Sequence, residues 1–253
     1  MKYLVTPGRF LFAIAITAFG IQHFIYAITG AGLGPPWTPV NHLLAYAIGA
    51  GLIAAGVGMA TGTQVRCAGI LIAAVCVARA LLCYAPKLAA NIRDPGPWTS
   101  AFEILAMGGA SLVLAATFTT WRSHADRTGA RPSALFQAGR FLFAISLIVF
   151  GIQHFLYATF IATLITPWIP GHLFWAYFVG VAFVASALAI ASGILAPPAA
   201  TLLGTMFLLW VVVLHAPRVA AALHNANEWT SLLVALAMSG ADFIVAGALA
   251  RGD

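Results

Sequence analysis

Eight stretches, at about 10–28, 43–61, 66–85, 99–118, 141–161, 172–192, 197–215 and 229–249, each run to roughly the 20 residues a membrane-spanning helix needs, with hardly a charge among them. Inside lipid a backbone finds no water to bond, so each stretch must satisfy its own amides as an α-helix. The spacing therefore predicts an all-α integral membrane protein with eight transmembrane helices, and a lipid bilayer as its first partner. Composition points the same way: 62% of the residues are hydrophobic and 7% are charged, where a soluble domain needs about a quarter charged to solvate its surface. The net charge of +6 does not mark a nucleic-acid binder, because the surplus cations are dispersed between apolar segments and form no basic groove.

Residues 8–27 read GRFLFAIAITAFGIQHFIYA and residues 139–158 read GRFLFAISLIVFGIQHFLYA, 15 identities in 20 at an offset of 131. The same offset pairs Pro86 with Pro217, Trp98 with Trp229 and Met107 with Met238. A cleaved leader would not recur in mid-chain, so the first stretch is expected to be a helix although Lys2 and Arg9 precede it. The expected organisation is a tandem duplication: a four-helix unit over 1–118, a polar linker over 119–138 and a second four-helix unit over 139–253. Four is even, so both copies enter the membrane from one face as two parallel four-helix bundles, not as inverted repeats. Arg66, Arg122, Arg127, Arg131 and Arg140 fall on the face that carries the termini, which predicts cytoplasmic termini and a cytoplasmic linker.

The opposite face collects the polar side chains. Gln22, His23 and Tyr26 stand three and four residues apart and can share one helix face; Gln153, His154 and Tyr157 repeat them. They can bond neighbouring helices and belong to an interfacial aromatic belt, or they can hold the polar ring of an amphipathic ligand. Arg79 and Glu103 are candidate catalytic residues. Both lie roughly 7–8 Å inside by helical rise, Arg79 from Tyr84 and Glu103 from Trp98, and they are expected to meet as an ion pair or at a ligand, with Arg79 polarising an oxygen and Glu103 handling a proton. The second half carries Trp210 and Val234 at those positions. Asp242, whose counterpart is Ser111, is expected to cap a hydroxyl or to pair with Arg140.

No histidine or cysteine spacing suits a metal, and Cys67, Cys76 and Cys83 share one helix at separations that forbid a bridge along it. His23 and His154 lie at similar depth, which keeps haem open as a cofactor. Pro35, Pro36, Pro39 and Trp37, with Pro167, Pro170 and Trp168, predict stiff outer loops over the polar cluster.

Several of these features occur together in a known family. An arginine opens the first helix of each half (Arg9, Arg140), a glycine and then a histidine stand near its outer end (Gly20 with His23, Gly151 with His154), and Glu103 precedes Gly108, Gly109, Ala110 and Ser111 in the fourth helix. In this the chain resembles the DoxX-like membrane family, over each four-helix unit and so over nearly the whole chain twice. The resemblance implies a membrane bundle and, from some relatives, quinone-linked sulfur oxidation; others are associated with redox stress or assembly complexes. The functional expectation is a bacterial inner-membrane protein that binds quinone or a similar amphipathic lipid, as a subunit or accessory of a redox complex. A bundle without its own cofactor moves no electrons, so a partner protein is implied. A non-enzymatic scaffold or assembly protein and a small-solute transporter are the alternatives, and whether the chain is an enzyme stays open.

Overall fold

The computed structural model of the chain describes residues 1–29, 42–123 and 133–250, with backbone alone at 26–29 and 119–123. Expectations resting on the Tyr26 side chain, on Pro35, Pro36, Trp37 and Pro39, and on most of the linker lie outside the described residues.

Eight helices are long and apolar enough to cross a membrane. They are α1 (Val5–Thr29), α2 (His42–Thr61), α3 (Val65–Ala90), α4 (Pro95–Ser123), α5 (Ala134–Leu156), α6 (His172–Ser192), α7 (Ala196–Ala221) and α8 (Ala226–Leu249). A short helix, Ala158–Leu164, lies between α5 and α6, and the described residues contain no strand. α3 and α7 run further than apolar patterning alone marks, because Pro86 and Pro217 do not end them. Each proline lacks the amide hydrogen that would close its turn, and the chain takes up the mismatch in a π turn just before it, at Ala80–Tyr84 and Val211–His215.

Packing follows chain order around a ring, α1 on α2, α2 on α3 and so on, and closes where α8 meets α1. α4 and α8 also touch each other across the middle. They are the central pair: 67% and 78% of their most apolar windows are buried, against 17–39% in the other six helices. The contacts do not separate into two self-contained bundles. The first helix of each half packs on the last helix of the other, α1 on α8 and α5 on α4. The pair α4–α8 is thus a shared wall, with α1 to α3 on one side and α5 to α7 on the other.

Glycine sets those cross-contacts. A Cβ on Gly139 of α5 would stand 2.5 Å from the Gly109 carbonyl of α4, and one on Gly8 of α1 would stand 2.8 Å from the Gly240 carbonyl of α8. Without hydrophobic drive between helices in lipid, such backbone approach supplies the packing attraction. Arginine finishes the second helix of the second half: Arg140 donates from Nε to the Ile190 carbonyl and from Nη2 to the Ala191 carbonyl, both at 2.6 Å, where α6 ends at Gly193 with φ +87°. Arg140 is therefore not the partner of Asp242.

The end of the molecule where α1 begins is here the proximal end, and the opposite one the distal end.

Candidate functional site

α4 to α8 line a half-open cavity of about 480 Å³ toward the distal end. Its walls are largely aromatic, with Phe150, Trp175, Phe183, Phe207 and Trp210 among them. The roof is the short helix, through Phe160 and Ile161. Besides the Tyr157 phenol, three ionisable side chains converge on this apolar space: Glu103 from α4, His154 from α5 and His215 from α7.

Each of the three has bonding capacity the protein does not use. His154 Nδ1 lies 2.8 Å from the Phe150 carbonyl one turn back. A carbonyl only accepts, so Nδ1 carries the hydrogen and the neutral ring keeps Nε2 as an acceptor. Among the described residues nothing pairs with Nε2, and the ring is held edge-on to Phe183 at 5.1 Å between centroids. Glu103 takes no hydrogen bond and no ion pair from the described residues. His215 Nδ1 is buried without a partner. His215 Nδ1 is thus a costly buried orphan, while the Glu103 carboxyl and His154 Nε2 keep accessible surface and are free to bond a ligand in the cavity.

Gln153 has a different role. Its amide donates to the Pro95 carbonyl at 3.1 Å and accepts from the Thr99 hydroxyl at 3.1 Å, clamping α5 to α4. Gln22 does the corresponding work on the other side, donating to the Thr230 hydroxyl of α8 at 3.4 Å. Both glutamines thus join the two halves. Tyr157 lines the cavity at the break between α5 and the short helix.

An ion pair fastens the roof. Arg218 of α7 grips Glu228 of α8 with Nε to Oε2 at 2.8 Å and Nη2 to Oε1 at 2.9 Å. Its remaining arm donates to the Leu164 carbonyl, the last of the short helix, at 2.8 Å. The loop of Pro167, Trp168 and Pro170, expected to cover the polar cluster, does not line the cavity, and Trp168 is 62% exposed; the short helix takes that position instead.

Arg79 and Glu103 do not meet. The described residues hold no ion pair between them. Rotation about the axis of α4 separates them. α4 turns Gly108 toward α3, where an added Cβ would meet Cys76 at 3.1 Å. Glu103, five residues earlier, points about 140° away. Arg79 instead lies within electrostatic reach of His23 and Cys76, on the α1–α3 side. His23 repeats the His154 geometry, with Nδ1 2.8 Å from the Phe19 carbonyl, and its Nε2 is buried without a partner.

Sequence reasoning missed Trp175 and Phe183 as cavity residues; it placed His215 on the polar outer face but gave it no role. His215 ends the π turn before Pro217. Asp242 is 0% exposed and neither of its oxygens has a partner, so the expected capping bond is not made. Cys67, Cys76 and Cys83 are free thiols. No three or more metal-ligating side chains come together among the described residues. Comparison with protein-family models, curated proteins and solved structures finds no match to this chain.

Proposed function

We propose that the protein binds the polar ring of an amphipathic membrane molecule, a quinone or quinol, in the cavity between α4 and α8. In this reading it acts as a subunit or accessory of a redox complex in a bacterial inner membrane. The proximal end is cytoplasmic, and the two halves descend from a duplicated DoxX-like unit.

One observation carries the reading: an aromatic cavity of about 480 Å³ onto which Glu103 and His154 open, neither bonded through its carboxyl or Nε2 within the described residues. Aromatic walls suit a flat ring, and His154 Nε2 accepts from a ring hydroxyl. Glu103 stands where a proton leaving or joining a ring oxygen can be taken up or supplied. Arg79 and His23 form a separate polar group on the α1–α3 side, and redox equivalents pass to or from a partner protein.

The test is equilibrium binding of a benzoquinone lipid and its quinol to the purified protein, the Glu103→Leu variant and the His154→Leu variant. Losing one such hydrogen bond corresponds to about 10–100-fold in affinity. Arg79→Ala is expected to leave this affinity unchanged. No binding to the parent, or equal binding to all variants, would refute the proposal. The glutamine clamps favour one rival, a scaffold whose polar groups only fasten helices. That reading expects Gln153→Ala to lower thermal stability while no small molecule binds.

A further inference from the structure

A second hollow, of about 790 Å³, lies on the outside of the same half, between α6 and α7. No charged side chain lines it. Its one hydroxyl at the proximal end, on Ser192, is already spent on the Leu188 carbonyl at 2.8 Å. Leu188, Leu195 and Leu202 along it are 60–72% exposed, so in a membrane it opens to lipid.

The hollow and the cavity are neighbours across one side chain. Met206 of α7 belongs to the walls of both. On α6 the two spaces use adjacent faces of the same turns: Phe178 and Ala182 border the outer groove, Val179 and Phe183 the cavity. Methionine is unbranched and turns about three bonds, so this partition is the most readily moved part of the wall. From Phe178 to Ser192 the groove follows α6 for about 21 Å, most of a bilayer's ~30 Å hydrocarbon core.

We propose that the occupant of the groove is the hydrocarbon tail of the same molecule whose ring occupies the cavity. This rests on the ring-binding reading above. The polar atoms lie at the distal end, in the cavity, and the apolar channel runs from there toward the proximal end. That is the polarity of a lipid anchored in the distal leaflet whose long tail runs through the membrane centre toward the proximal side. The ligand class is therefore a long-tailed ring lipid that enters sideways between α6 and α7 at Met206. A water-borne ring coming through the roof would leave the groove without a purpose.

Two photoreactive benzoquinone lipids with isoprenoid tails test this in the full-length protein in lipid nanodiscs. One carries a diazirine on the ring, the other at the tail end, and labelled peptides are identified by mass spectrometry. The ring probe is expected on α4–α8 cavity peptides and the tail probe on α6 and α7 peptides containing Leu188 or Leu202. A ring probe in the cavity with tail labels elsewhere, or spread evenly over lipid-facing helices, overturns the tail assignment and leaves ring binding intact. A ring probe absent from the cavity defeats the ring-binding reading itself. Leu202→Trp, which fills the groove and does not border the cavity, is expected to abolish tail labelling on α6 and α7 while a tail-less benzoquinone carrying the same diazirine still labels the cavity. Equal tail labelling of parent and variant would refute the groove as the seat of the tail.

Discussion

Asp242 and Arg140 show how differently a charged side chain can sit in an apolar helix. Arg140 spends its donors on the Ile190 and Ala191 carbonyls at 2.6 Å, so Arg140→Ala is expected to lower stability by about 1–3 kcal/mol, read as a lower Tm in detergent. Asp242 has no partner to lose, since both oxygens are buried and unbonded. Asp242→Ser, which installs the residue its counterpart Ser111 already is, is expected to hold or raise the Tm; a fall of more than about 1 kcal/mol would reveal a partner. At this scale the sequence tells depth and not rotation. Counting residues from Trp98 and Tyr84 places Glu103 and Arg79 at one level, but the direction each faces depends on which helix lies against α4. That is decided by Gly109 meeting Gly139, 30 residues further along the chain and outside any local pattern.

Among the elements, the helices themselves were legible because a run of about 20 apolar residues admits one structure in lipid. The π turns were not, since Pro86 and Pro217 read equally well as helix ends. Neighbouring glycines of one helix differ in what they do. Gly49 does approach α1, where its added Cβ would lie 2.9 Å from the Gly20 carbonyl, but Gly51 has nothing within 4 Å. This contrast gives a matched pair of substitutions. Gly139→Val would drive a side chain into the Gly109 carbonyl and is expected to cost about 3 kcal/mol or more, seen as lost folded yield or a sharply lower Tm. Gly51→Ala is expected to be silent. Equal effects from the two would show that close approach at Gly139 does not hold α5 on α4.

Across the whole molecule, the two halves are not independent, because α1 leans on α8 and α5 on α4. Residues 1–123 and 133–253 expressed together as separate chains are expected to co-purify, and either alone to accumulate poorly; a stable first half alone would contradict this packing. The repeat was plain in the sequence, but the exchange of partners was not. An offset of 131 says which residues correspond, and a helix in lipid carries no outward mark of whether its neighbour comes from its own half. The exchange also places Glu103, with Pro95, Gly96 and Thr99 of the same first-half helix, in a cavity whose remaining walls come from α5 to α8. That placement is the centre of the functional reading. A crystal structure with a benzoquinone lipid bound tests it most directly. The expected result is a ring between α4 and α8 with its oxygens within hydrogen-bond distance of Glu103 and His154 Nε2. A ring bound elsewhere, or a Glu103 carboxylate engaged by Arg79, would contradict it.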